Sequence, residues 1–247
     1  MPQKQANKIP VIESFDLAPG RVLVGKYEVI DLLGAGWEGE VYLVRELHTD
    51  IMRTAKFFFP QRNQRDKALL FYARKLHKLQ QCPVIIQYST QEKMPYRRYP
   101  VSFLISEYVE GKLLTDFLAH QPGKKLAVFP ALHLLYALTV GIEGVHAAGE
   151  YHGDLHSDNI IVQRFGLEFD LKLLDLFHWG ASTAANKRDD VCDIIRIFYD
   201  ALGGKKTYAK QPDEIKAIIC GLKKNLILKK FRTASDLRIH IETLEFD

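Results

Sequence analysis

The feature that most narrows the fold is a glycine-rich stretch, Leu33-Gly34-Ala35-Gly36-Trp37-Glu38-Gly39-Glu40-Val41-Tyr42, set between two runs of β-branched and aromatic residues. The spacing is GxGxxGxV. Glycines at this spacing let backbone N–H groups come close to phosphate oxygens that side chains would keep away. A strand on each side predicts a hairpin rather than a dinucleotide-binding turn, in which a helix follows the glycines. Lys56 lies on the next predicted strand, inside the apolar run Ala55-Lys56-Phe57-Phe58-Phe59. A lysine buried there is costly unless it meets an anion, and a phosphate is the obvious one.

The remaining pattern changes character partway along. Residues 21–24, 27–33, 40–44, 54–59 and 101–107 read as strands, interrupted by one amphipathic helix over 67–80 that Pro83 closes. After Gly111 helices take over, at 131–148, 191–202, 215–222 and 234–244, with two short strands at 159–163 and 171–175 among them. The order predicts a strand-rich lobe over 21–108, a break near Glu107–Gly111 and a helical lobe over 109–247, preceded by a loose arm over 1–20.

Composition excludes some classes of function. A net charge of +4 is too small an excess to argue for nucleic acid, and the basic clusters Lys223-Lys224, Lys229-Lys230 and Tyr96-Arg97-Arg98-Tyr99 read as solvated surface. Residues 1–20 carry no apolar run of the kind a secretory leader needs. No stretch is read as approaching the ~20 apolar residues that span a bilayer. Cys82, Cys192 and Cys220 show no paired spacing and read as buried thiols in a reducing compartment. The chain therefore reads as cytoplasmic.

A second cluster of chemistry follows the 131–148 helix: His152-Gly153-Asp154-Leu155-His156-Ser157-Asp158-Asn159. A carboxylate and a carboxamide on one loop between a helix and a strand suit phosphoryl transfer. Asp154 can accept a proton from, or orient, an attacking hydroxyl. Asn159 offers a hard oxygen to Mg²⁺, and Asp175, at the end of the strand predicted over 171–175, offers a carboxylate to the same cation.

Taken in order, these residues resemble the protein-kinase superfamily from about Val22 to Leu244. Gly34, Gly36, Gly39 and Val41 are similar to its glycine-rich loop, Lys56 to its phosphate-binding lysine, His152, Asp154 and Asn159 to its catalytic loop, and Asp175 to its DFG aspartate. The segment Ile105-Ser106-Glu107-Tyr108-Val109-Glu110-Gly111 resembles its hinge, with Ser106 in the gatekeeper position. The resemblance implies an α+β, bilobal protein-kinase-like fold: an antiparallel β-sheet N-lobe with one helix, and a mostly helical C-lobe. It implies ATP and Mg²⁺ as cofactors, adenine held by the main chains of Glu107 and Val109, and a protein Ser/Thr or small-molecule hydroxyl as acceptor. It also implies that Asp190 supports the catalytic loop.

Four departures accompany the resemblance. Ala73 stands where the family's helix carries a glutamate for the lysine. The loop reads HGDLH, so Gly153 replaces an arginine and His156 replaces the lysine that faces the γ-phosphate; HGDL-type loops also occur in aminoglycoside and choline kinases. Asp175-Leu176-Phe177 replaces DFG. The segment between Asp175 and Asp190 is short, with no APE motif. An active compact kinase is the leading reading, and a nucleotide-binding pseudokinase scaffold or a small-molecule kinase is the alternative.

Overall fold

The computed structural model describes residues 9–176 and 180–246. The chain divides into two compact units, Met1–Gln80 with Gln87–Tyr108, and Gln81–Ile86 with Val109–Asp247. The architecture is the bilobal α+β arrangement that the resemblance implies.

The first unit is built on a six-stranded antiparallel sheet in the order β1-β2-β3-β4-β6-β5. Its strands are β1 (Val22–Leu23), β2 (Tyr27–Ala35), β3 (Gly39–Glu46), β4 (Met52–Phe58), β5 (Tyr88–Tyr96) and β6 (Tyr99–Glu107), and its one α-helix among the described residues is α1 (Lys67–Lys78). Period-2 alternation on β4 decides the two faces. Ala55 and Phe57 join Tyr42, Phe103 and Ile105 in one hydrophobic cluster, while Lys56 and Phe58 project to the opposite face. Phe57 stacks on Phe103 with ring centroids 4.4 Å apart.

Residues 9–17 are not the loose arm the sequence predicts. Ile12, Phe15 and Leu17 are buried in the sheet's hydrophobic cluster. The Phe15 ring lies 5.3 Å from Phe57, 5.4 Å from Phe59 and 5.2 Å from Tyr96. Gln61 brackets Ile12, accepting from its N–H at 3.2 Å and donating to its carbonyl at 2.7 Å. The buried Glu40 carboxylate, next to the last glycine of the loop, accepts from Phe15 N–H at 3.1 Å and from the Tyr42 hydroxyl. Three well-spaced apolar side chains in a polar segment give too little periodicity to be read as core. Strand β5 was also missed. It is an edge strand, one face of YSTQEKMPY is exposed and the other carries polar, half-buried residues before Met94 and Tyr96, and it holds Pro95. A two-residue turn joins it to β6, with Arg97 and Arg98 at φ +47° and +67°, where Asn-Gly is the usual signal.

The second unit holds an antiparallel three-stranded sheet, β7 (Lys112–Leu113), β8 (Ile160–Phe165) and β9 (Glu168–Leu173). Its helices are α2 (Leu114–Ala119), α3 (Val128–Ala147), α4 (Ala184–Ala201), α5 (Lys205–Tyr208), α6 (Asp213–Ile219), α7 (Lys224–Lys230) and α8 (Ala234–Glu242). Helix α3 is long and apolar enough to cross a bilayer by length and composition, contrary to the sequence reading. Its apolarity has another use: Leu134, Leu135, Leu138, Ile142 and Val145 are wholly buried. The segment Gln81–Ile86 belongs to this unit because Leu173 N–H donates to Val84 O at 2.7 Å and Gly141 of α3 runs against Val84. A Cβ at Gly141 would sit 2.8 Å from Val84 Cγ2.

Helix α4 begins earlier than its apolar pattern, because Thr183 caps it in a capping box with Asn186. Residues 184–189 are therefore helix, which shortens further a segment that the sequence already marks as short. Among the cysteines only Cys82 is fully buried; Cys192 and Cys220 are partly exposed. Burial still raises all three thiols, Cys192 to about 11, so each stays protonated at neutral pH.

Because Phe15 fills a site in the sheet core, Phe15→Ala should lower unfolding stability by roughly 3–5 kcal/mol. Urea unfolding of the full chain checks this. A change below about 1 kcal/mol would show that the segment rests on the sheet without being part of its core.

Candidate active site

The candidate residues form two sets, one in each unit. In the first, the β2–β3 hairpin forms the glycine loop, closed by Gly36 N–H donating to Gly39 O at 2.9 Å. The glycines serve different purposes. A Cβ on Gly39 would lie 1.7 Å from the Phe57 carbonyl oxygen, so this residue is required by the approach of β3 to β4. Around Gly34 and Gly36 a Cβ would meet nothing within 4 Å. Neither neighbour contacts nor a positive φ demands glycine there, and the open space is what a phosphate group over bare backbone needs.

Sheet register sets Val41 directly opposite Lys56. Lys56 is 8% exposed, and its ammonium is 3.5 Å from the Glu38 carboxylate on the glycine loop. The same ammonium lies 4.5 Å from the ring centroid of Tyr72 and 5.7 Å from that of Phe58. Ala73, the position expected to matter, is also on α1, but the side chain that reaches the lysine is its neighbour Tyr72. Trp37 at the loop tip stacks under the Arg62 guanidinium, which lies 4.2 Å from its ring centroid, a cation–π contact on the loop itself. At the end of β6, the Ser106 hydroxyl pairs with Thr54 Oγ1 at 2.7 Å, and Glu107 N–H donates to Gln87 O at 3.0 Å. Val109 lies beyond the boundary, in the second unit.

In the second unit, Asp190 organises the catalytic loop. It is wholly buried in the second turn of α4. Its carboxylate accepts from His152 N–H at 2.8 Å, Gly153 N–H at 2.9 Å and His146 Nε2 at 2.9 Å. Gly153 has φ +87°, a conformation that strains a residue with a side chain. His152, also wholly buried, donates from Nε2 to Leu174 O at 2.9 Å, and its Nδ1 accepts from Asp154 N–H at 3.3 Å.

Asp154, about half exposed, is thereby presented to solvent on a backbone fixed from beneath. Asn159 Nδ2 donates to Asp154 O at 2.9 Å and lies 3.3 Å from Asp154 Oδ2. It also lies 2.9 Å from His156 Nε2, and His156 Nδ1 accepts from Asp158 N–H at 3.3 Å. These side-chain contacts of Asn159 all use its amide nitrogen, and its carboxamide oxygen accepts none among the described residues. Leu174 N–H donates to Asn159 O at 2.8 Å, which brings the end of β9 to Asn159. Asp175 is not the strand end predicted. β9 stops at Leu173, and Asp175 follows in the left-handed region at φ +48°, a conformation that costs free energy for a non-glycine residue. Phe177, the last residue of the altered DFG motif, lies outside the described residues.

A Mg²⁺ site must be tested against these donors. Among the described residues no three His, Cys, Asp or Glu side chains cluster as a metal site. Asn159 and Asp175 supply two hard oxygens on adjoining backbone, which fits a cation that takes the rest of its shell from phosphate and water. Sequence reasoning missed Tyr72, Glu38 and the buried Lys75 of α1, which is 3% exposed. Tyr72 looked like one more apolar residue on the helix face, and only its place against β4 shows its contact.

The protein kinase domain model matches residues 27–209, and the chain belongs to the protein kinase domain family. Curated relatives include the serine/threonine-protein kinase PknD of Chlamydia pneumoniae, 26% identical over 68% of this chain and 18% of its own length. They also include the putative cyclin-dependent kinase F-2 of Oryza sativa subsp. japonica, 26% identical over 71% of this chain and 54% of its own length. The chain thus spans at most about half of these relatives. Among solved structures, a double mutant of the Mycobacterium tuberculosis PknI kinase domain shares the fold, with a TM-score of 0.61 at 19% identity, covering 92% of this chain and 96% of that one.

One acid near the loop has a displaced titration. Burial, with the Asp190 and Asp189 charges next, raises the Asp193 carboxyl from 3.8 to about 7. A raised carboxyl contributes stability that is complete below about 4 and is lost as pH rises through about 7. Asp193→Asn should therefore gain stability relative to the parent as pH rises from 4 to 7, with the difference level above that. Melting temperatures of both proteins across this range check it; a constant difference would contradict the assignment.

Proposed function

We propose that the chain is an ATP- and Mg²⁺-dependent phosphotransferase acting on a hydroxyl, with protein Ser/Thr as the favoured acceptor class. The observation that carries this reading is the loop 152–159. A wholly buried carboxylate fixes its backbone, Asp154 is exposed on it, and the oxygen of Asn159 accepts no protein donor among the described residues. Bound ATP·Mg²⁺ would supply the transferable γ-phosphoryl group and the cation that neutralises its charge. The chain's residues would divide the remaining work. The backbone of Gly34, Gly36 and Gly39 would hold phosphate oxygens, with Val41 packing against the base and Lys56 setting a positive charge beside the phosphates. Asn159 and Asp175 would hold the cation. Asp154 would accept or direct the proton of the attacking hydroxyl, and His156 would face the transferred group.

At the base-binding end, Glu107 N–H is committed to Gln87 O, so an adenine contact there falls to the Glu107 carbonyl and to the main chain of Val109. The relatives named as serine/threonine-protein kinases favour a protein acceptor, whereas the early start of α4 at Ala184 leaves little chain to form a peptide groove and keeps a small-molecule acceptor in view. A nucleotide-binding scaffold with little turnover is the second reading. It is favoured by Lys56 meeting an aromatic ring on α1 where an active kinase carries a carboxylate.

Two variants test the assignment. Asp154→Ala should cut phosphate transfer by roughly 10²–10⁴-fold while nucleotide affinity stays near that of the parent, because the residue is placed to serve the acceptor. Initial rates with a panel of protein and small-molecule hydroxyls check this; equal rates would remove Asp154 as the base and favour the scaffold. Asp175→Ala should abolish the Mg²⁺-dependent part of ATP binding, since Asn159 alone offers only a neutral oxygen. An ATP titration repeated across Mg²⁺ concentrations reads it, and identical curves for parent and variant would refute the metal assignment.

A further inference from the structure

We propose that Tyr72 is the positioning residue for Lys56: the face of its ring, presented by helix α1, fixes the lysine's ammonium in the absence of a helix carboxylate. The sequence of α1, KALLFYARKLHK, contains no acid. Tyr72 is 6% exposed and Lys56 is 8% exposed, so the pair meets largely away from water, where the attraction between a cation and a ring face is strongest. Phe58, on the same face of β4 as Lys56, stands against Tyr72 with ring centroids 6.3 Å apart and an interplanar angle of 67°. The two rings form a corner, and the ammonium lies 4.5 Å and 5.7 Å from their centroids.

Glu38, a further neighbour of Lys56, differs in kind. Glu38 belongs to the glycine loop, and its carboxylate, 3.5 Å from the ammonium, would repel phosphate oxygens that approached the same cation. Phosphate and Glu38 are therefore competitors, whereas the Tyr72 contact is compatible with both. A ring also carries no net charge, so it holds the ammonium in place without neutralising it. Helix α1 thus couples to the phosphate-binding lysine through an aromatic face, and the coupling does not depend on moving a charged side chain in or out.

This inference rests on the nucleotide-binding reading above, and the test separates the two. ATP affinity in the presence of Mg²⁺ is measured by calorimetry for the parent, Tyr72→Leu, Tyr72→Phe and Glu38→Gln, and for Tyr72→Leu in a Lys56→Met background. Tyr72→Leu should weaken binding by roughly 3- to 30-fold. Tyr72→Phe, which keeps the ring face, should recover most of that loss. The effect of Tyr72→Leu should vanish once Lys56 is gone, because a positioning residue acts only through its partner. Glu38→Gln should leave binding equal or tighter. A loss that persists in the Lys56→Met background, no loss at all, or a greater loss in Glu38→Gln than in Tyr72→Leu would overturn the proposal. A second measurement needs no nucleotide: acylation of Lys56 by an amine-reactive ester, followed by peptide mass spectrometry. Without the ring the amine is no longer held against α1 and is more open to the reagent, so labelling should speed up severalfold in Tyr72→Leu and not in Tyr72→Phe. Unchanged labelling refutes the assignment of Tyr72. Failure of the parent to bind ATP would overturn only the nucleotide reading, and the labelling result would still decide Tyr72.

Discussion

The wholly buried carboxylate of Asp190 is the contact on which the loop chemistry depends. It accepts two backbone N–H groups, from His152 and Gly153, and a third donor from the His146 ring. A buried carboxylate costs free energy unless its oxygens are satisfied, and buried N–H groups cost free energy unless they find acceptors. Both requirements are met by one geometry, so the loop has little freedom to move. Through His152 the same network reaches Leu174, and through Leu174 N–H it reaches Asn159. The second turn of α4, the loop and the end of β9 are in this way a single hydrogen-bonded structure. Asp154, Asn159 and Asp175 all stand on it.

In the first unit the comparable constraint is the close approach of β3 to β4. Gly39 permits it, since any side chain there would collide with the Phe57 carbonyl. That approach puts Val41 opposite Lys56 and sends Ala55 and Phe57 into the aromatic core. The core is completed by the segment before β1, where Phe15 joins the rings of Phe57, Phe59 and Tyr96. Glu40 links the two features. It sits on β3 next to the glycine loop, and its buried carboxylate takes the Phe15 N–H. The N-terminal segment is thereby tied to the strand that carries the loop.

Much of this was legible in the residues themselves. Glycine spacing, a lysine in an apolar strand, and the order of Asp154, Asn159 and Asp175 are local signals, because each reports a backbone or charge requirement met within a few residues. The strand-rich and helix-rich halves were legible for the same reason, since period-2 and period-3.6 patterns are properties of single elements. The exceptions are elements whose signals are non-local. Strand β5 is stabilised by pairing with β6 and carries almost no hydrophobic pattern of its own. The start of α4 is set by a capping box and lies before its apolar stripe.

What the sequence determined, then, is membership of the protein kinase domain family, the two-part plan, and the identity of the residues that phosphate chemistry would use. Tertiary structure alone decided what each of those residues touches. Lys56 meets Tyr72 because α1, packed on β5 and β6, brings that ring beside Phe58 and Lys56 of β4, a contact between residues far enough apart in sequence that no periodicity encodes it. Ile12, Phe15 and Leu17 become core because the sheet has room for them beside Phe57 and Tyr96. Asp175 takes a left-handed backbone because β9 ends where Leu174 turns its N–H to Asn159. Local patterns follow from the covalent chain and its few allowed conformations; contact partners follow from how separate elements fill space together.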